Sequence, residues 1–279
     1  MITARAIIDA YGKMEYDAIA VGPQDLAAGI SLINHPDSRA LPWVSANIYN
    51  EDGTRLFPPY LSIKKGILKF AIVGLTGNIR NERQGFVVAD WQKELMEIIP
   101  SISASHDLII LLSTLSNRDL AIVTKRFPEI MITIGADRRK GNISGTLIHS
   151  TLLAQTAGQG KYLGQLSVVW RYRQWGEDLH KELGKLRKRQ LSIKRQLAQL
   201  NKTGATGTAS QKQTNVLEQK QDQISERISQ LEIMINERKD GELPSSFSSV
   251  LIPLKSAIPE DPGIRDIIYS AKNRIQNLK

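Results

Sequence analysis

The sequence of 279 residues contains no cysteine. That excludes disulfides, thiolate nucleophiles and thiolate metal sites, and leaves the compartment open, because cytosolic and periplasmic proteins can both lack the residue. Histidine is scarce. His35, His106, His149 and His180 are the four present, and no pair has the i,i+4 spacing that puts two imidazoles on one helix face. They read as packing or surface residues, with His149 the one to watch because it follows the last candidate motif. Any metal site would have to draw on carboxylates far apart in the chain, and oxygen-rich ligand sets favour Mg²⁺ or Mn²⁺ over zinc. There is no run of about 18 apolar residues that could span a bilayer. The opening MITARAIIDAYGKM lacks the apolar core of a signal peptide. It reads as an amphipathic helix without a lead-in, so the chain is expected to be a fragment or a processed form.

What is present supports a substantial core. Apolar residues make up 41% of the chain, and the length allows one large domain or two smaller ones. The net charge of +9 is unevenly spread. Residues 171–240 hold 15 Lys/Arg against 9 Asp/Glu, so six of the nine net charges lie there. A nucleic-acid reading must rest on that segment rather than on the whole chain.

Two regions follow different patterns. Over residues 1–170, short β-branched runs predict strands at 17–22, 43–48, 68–76, 108–113, 130–135, 147–157 and 162–170. Helix-like stretches at 25–33, 90–99 and 117–126 fall between them. The run DLIILLS is apolar on both faces, as a central covered strand should be. This alternation predicts an α/β sheet domain over residues 1–170. Residues 171–240 change period. Leu179, Leu183, Leu186, Gln190, Ile193, Leu197 and Leu200 are spaced by fours and threes, as are Leu217, Gln221, Ile224, Ile228, Leu231 and Ile235. These are heptad seams, each with one Gln able to set register. The polar loop NKTGATGTASQ at 201–211 between them predicts an antiparallel coiled-coil hairpin, with a dimeric coiled coil as the alternative. Its first helix, over 172–201, would extend about 45 Å. Residues 241–279 read as a Pro/Ser-rich connector and a C-terminal helix, with Asp261 as N-cap and Pro262 at the first helical position. That helix has an apolar face of Ile264, Ile267, Ile268, Ala271 and Ile275, which must pack on the coiled coil or on a further domain beyond Lys279.

Five segments of the first region carry a family resemblance: YDAIAVG (16–22), SANIYNEDG (45–53), FPPYLSIKKGILKFAIVGLT (57–76), DLIILLS (107–113) and QTAGQGKYLGQLSV (155–168). In this order and spacing the chain resembles the 5′-nucleotidase branch of the calcineurin-like metallophosphoesterases. The resemblance implies a layered β-sandwich flanked by helices, here N-terminally incomplete, and a two-metal phosphoester hydrolysis. In such proteins the first of these strands leads into Gly-Asn-His-Glu, with the Asn a metal ligand and the His a stabiliser of the leaving group. Here Gly22 is kept, Pro23 stands in place of the Asn and Gln24 in place of the His. The Ser-His motif is matched by Ser113-Thr114. The Gly-Gly-His-x-His motif is matched by Gly135-Ala136-Asp137-Arg138-Arg139. The family's two earliest metal motifs would precede Met1. QTAGQGKYLG is no phosphate loop, since it lacks GxxxxGK[ST].

The resemblance therefore implies a retained fold whose site has been dismantled. No catalytic residue, metal ligand or cofactor is expected. Pro23, Gln24, Asp25, Thr114, Asp137 and Arg139 are expected to line a vestigial cleft able to hold an anion. Arg139 could pair with Asp25 or Asp137 and replace part of the lost metal charge; the alternative is an ordinary charged turn at 137–140. The expected role is binding or scaffolding, with the coiled coil as spacer or as the surface for a protein partner. A second reading is a metal-dependent phosphohydrolase completed by segments outside the chain, with Gln24, Asp25, Asp137 and His149 as local ligands. A third is a nucleic-acid binder using the basic run Lys185, Arg187, Lys188, Arg189, Lys194 and Arg195. That run has no interleaved aromatics and reads more simply as the solvated face of the coiled coil. The resemblance also implies a periplasmic or cell-envelope location, since the nucleotidases are commonly exported. Some bacterial envelope proteins of similar layout carry haem-binding CxxCH segments further on, for which this chain has no Cys.

Overall fold

The apolar stripe of the first residues forms helix α1 (Ile2–Lys13), which buries Ile8. The structure, a computed structural model, describes residues 2–27, 29–77, 79, 85–158, 160–171, 175–176, 179–202, 208–237 and 244–277. Two compact units divide the chain: Met1–Ser167 with Phe247–Lys279, and Val168–Ser246.

In the first unit, β1 (Ile19–Ala20) is followed by α2 (Ile30–Ile33) and α3 (Pro36–Arg39), and pairs in parallel with β2 (Trp43–Val44). Of the helix expected over 25–33, only the last four residues are helical, as α2. Residues 23–27 are turns, because the Asp25 carboxylate folds back to accept the Gly22 N–H at 2.7 Å. Gly29 then adopts φ +86°, outside the helical region. Strand β3 (Ile48–Asn50) pairs antiparallel with β6 (Phe86–Val88), after the hairpin of β4 (Tyr60–Lys65) and β5 (Leu68–Leu75).

The main sheet continues through α4 (Trp91–Ser103), β7 (Leu108–Ser113), α5 (Asn117–Arg126), β8 (Ile130–Gly135), β9 (Ile143–Ile148) and β10 (Thr151–Gln155). Its order is β4-β5-β7-β8-β10-β9. β5, β7, β8 and β10 run parallel, while β4 and β9 are antiparallel at the edges. The doubly apolar β7 is central, as its composition requires. Val73, Leu111 and Ile130 are buried with Leu95, Ile98 and Ile102 of α4 and Leu120 and Val123 of α5 in one core cluster. Asp90 caps α4 through the Gln92 N–H and Ser116 caps α5 through the Asp119 N–H. The run 147–157, expected as one strand, is a hairpin instead. His149 turns at φ +52° between β9 and β10. Apolar residues on both sides of a turn without Gly or Pro concealed it.

β11 (Tyr162–Val169) and β12 (Ser246–Pro253) form a separate two-stranded sheet, so part of the expected connector is a strand. A Cβ on Gly145 would lie 3.0 Å from Ser249 and 3.2 Å from Phe247, so β9 and β12 meet closely there. The final helix, α8 (Pro262–Gln276), is capped as expected, with the Asp261 carboxylate accepting the Ile264 N–H. It packs against α1 rather than a coiled coil, and none of its residues is fully buried.

The second unit contains α6 (Leu179–Lys202) and α7 (Thr208–Glu237). The expected helix start at Tyr172 and residues 203–207 of the expected 201–211 loop lie outside the described residues, while 201–202 and 208–211 are helical, as the ends of α6 and α7. At 24 residues α6 is about 36 Å long rather than 45 Å. Leu183 and Ile193 are buried with Ile224, Ile228 and Leu231. The Gln190 amide donates to Ser225 Oγ at 2.9 Å. Arg187–Glu232 and Arg227–Glu182 are ion pairs at the edges of the seam. Lys185, Arg187, Lys188, Arg189, Lys194 and Arg195 are all exposed.

Candidate functional site

Parallel strands deliver their following loops to one side of a sheet, where α/β folds bind ligands. Here the loops after β1, β7, β8 and β10 line a cleft of about 990 Å³. Pro23, Gln24, Asp25, Thr114, Asp137 and Arg139 all border it, with Tyr11, Arg138, Lys140 and Thr156. His149 is not among the lining residues.

Each strand end is held by internal hydrogen bonds. Thr76 Oγ1 donates to Val21 O at 2.6 Å, and Asn47 accepts the Thr76 N–H and donates to its carbonyl. Thr114, at the place of a histidine in the resembled motif, accepts the Gly77 N–H at 2.8 Å. A Cβ on Gly22 would come within 3.3 Å of Asp25 and 3.4 Å of Thr114, so the loop after β1 sits tightly on the loop after β7.

Asp137 is 7% exposed. Its carboxylate accepts the Asn117 N–H at the start of α5, the Arg139 N–H and the Arg139 Nε–H at 3.2 Å. Burial alone would raise its pKa, but the bonds from Arg139 and Asn117 prevail and hold it below the usual carboxylate value. Arg139 therefore pairs with Asp137 and not with Asp25. Its side chain remains 74% exposed, so this pair alone is worth little. Gln155 fixes the turn: Oε1 accepts the Asp137 N–H, and Nε2 donates to the carbonyls of Asp137, Lys140 and Gly141. Asp25 is the opposite case. Burial raises its pKa, offset in part by the Gly22 N–H. Tyr11 is also raised, first by burial and then by the nearby Asp25 charge.

Sequence reasoning missed Tyr11, Asn117 and Gln155. Gln155 was visible only within the expected strand 147–157 and as the first residue of the resemblance segment at 155–168, and nothing local signalled that its amide reaches back across 18 residues. Among the described residues, no group of three or more His, Cys, Asp or Glu is placed to share a metal ion.

Known structures share this architecture. The chain aligns with the calcineurin-like phosphoesterase YfkN of Bacillus subtilis at 15% identity and a TM-score of 0.60, covering 98% of this chain and 75% of that one. It aligns with a 5′-nucleotidase precursor from Thermus thermophilus at 16% identity and a TM-score of 0.61, covering 99% of this chain and 46% of that one. A sulfate thiohydrolase, SoxB, of Thermus thermophilus matches at 17% identity and a TM-score of 0.53, over 58% of this chain and 32% of its own. The fold is thus a mixed α/β fold of the calcineurin-like phosphoesterase type. In sequence, a 5′-nucleotidase of Vibrio parahaemolyticus is 39% identical over 66 residues, 23% of this chain and 12% of that protein. The chain spans less than half the length of the 5′-nucleotidases it matches. No family model matches the sequence.

Proposed function

We propose that the α/β unit is a binding domain with the phosphoesterase fold but without its two-metal chemistry. The observation that carries this reading is the state of the donor groups at the strand ends. Pro23 offers no donor. Thr114 is committed to Gly77, and both Asp137 oxygens accept protein hydrogen bonds. These residues do not fit a pair of divalent ions, so no hydrolytic step is derived. The cleft is suited instead to an oxyanion, with Arg138, Arg139 and Lys140 on one wall. The two-helix unit, read as an antiparallel coiled coil with a charged exterior, acts as spacer or protein-binding surface.

Elemental analysis tests the reading. The full-length gene product is incubated with Mn²⁺, Zn²⁺ and Mg²⁺ and freed of loosely held ions. It should retain no stoichiometric metal, yet bind inorganic phosphate. Close to two ions per chain would overturn the proposal in favour of a metal-dependent phosphohydrolase completed by segments outside the chain, and phosphoester substrates would follow.

A further inference from the structure

The two sides of the cleft carry opposite charge. On one side the loop after β1 presents Asp25, beside the Tyr11 ring and hydroxyl. On the other, the turn after β8 presents Arg138, Arg139 and Lys140. Asp137 offsets Arg139 alone. Among the described residues, neither Arg138 nor Lys140 forms an ion pair, and neither does Asp25, whose partner is the backbone of its own loop.

Asp25 is a half-buried carboxylate without a cation, so burial leaves it incompletely compensated, and Arg138 and Lys140 are exposed cations with no carboxylate paired to them among the described residues. An anion alone would satisfy one wall and be repelled by the other. A cation alone has the reverse defect. A molecule with both charges satisfies both. We propose that the cleft selects a zwitterion of the aminoalkyl phosphate class, its phosphate on Arg138 and Lys140 and its ammonium on Asp25 against Tyr11. Guanidinium and ammonium donors suit phosphate oxygens, and an aromatic face beside a carboxylate suits an ammonium. The volume is that of an ordinary small-molecule site.

This inference rests on the reading of the cleft as a metal-free oxyanion site, and one titration series separates the two. Inorganic phosphate, alkyl phosphates and aminoalkyl phosphates of two to five carbons are titrated into the full chain in the presence of a chelator, followed by calorimetry. The best aminoalkyl phosphate should bind at least tenfold more tightly than the alkyl phosphate of equal length. Asp25→Asn, which keeps an acceptor for the Gly22 N–H, should remove that advantage and, by relieving the repulsion of a lone anion, leave alkyl phosphate binding as tight or tighter. Arg138→Ala with Lys140→Ala should weaken both series. Phosphate binding without an amine advantage at any length overturns the zwitterion and spares the oxyanion site. An advantage that survives Asp25→Asn also overturns it. No binding of any of the probes overturns both.

Discussion

The α/β unit and the two-helix unit bury apolar surface in different ways. In the sheet, strands meet backbone to backbone. A Cβ on Gly74 would collide with the Val44 carbonyl oxygen, so the packing there depends on a missing side chain. In the helices the seam is a repeating stripe, the backbones stay apart, and Gly184 has nothing within 4 Å of an added Cβ. One unit is specified by unique contacts between distant segments. The helix pair of the other is specified by period and tolerates change wherever the stripe is kept, although in the same unit Gly176 lies against Pro244 with no room for a side chain.

The sharpest test of this contrast is Gly74→Ala. Val44 cannot move without disturbing Ser45 and Asn47, so the substitution should cost more than about 3 kcal/mol, seen as a large drop in the urea midpoint. An ordinary loss would show that β2 and β5 are looser than drawn. Next, Leu231→Ala removes a fully buried residue of the helix seam. It should cost about 2–4 kcal/mol, in a transition followed by helical circular dichroism. The third effect divides the cleft's own walls. The native pKa of Asp137 lies below the usual 3.8, so its ionised form stabilises the fold above that value, and the contribution is lost as pH falls through the lowered native pKa. The native pKa of Asp25 is raised, so ionisation opposes folding, and stability declines as pH rises from 3.8 through the raised value. Asp137→Asn should therefore destabilise and Asp25→Asn stabilise at neutral pH, with both differences fading in acid. Denaturation across pH reads the signs, and equal signs would refute the assigned environments. The smallest effect is Gly184→Ala, expected to raise stability by about 0.5–1 kcal/mol through helix propensity. A loss there would mean the helix pair also depends on close approach.

The same contrast explains what could be read without coordinates. The helix at 117–126 was legible to the residue, because Ser116, the apolar spacing and the terminal Lys125-Arg126 all act locally. The central strand at 108–113 was equally plain, since only a doubly covered strand tolerates that composition. The motif positions at 23–25, 114 and 137–139 could be named from the resemblance, and they lie around one cleft. Which partner Arg139 takes could not be decided, since both aspartates were within plausible reach. The hairpin at His149 was hidden because its turn carries no Gly or Pro, and β12 because a Pro/Ser-rich composition outweighed its alternation.

By itself, then, the sequence determined the elements whose causes are local: capped helices, the apolar central strand, the heptad stripes, and the residue types at the strand ends. Only the tertiary structure decided where the charges of those strand ends would go. Asp137 is bound by Asn117, Arg139 and, through its backbone, Gln155, while Asp25 is left with its own loop. The reason is geometric. A carboxylate's fate depends on which donors lie within about 3 Å; Asp25 takes the Gly22 N–H three residues back, whereas Asp137 also takes the Asn117 N–H 20 residues away, which the parallel sheet brings beside it.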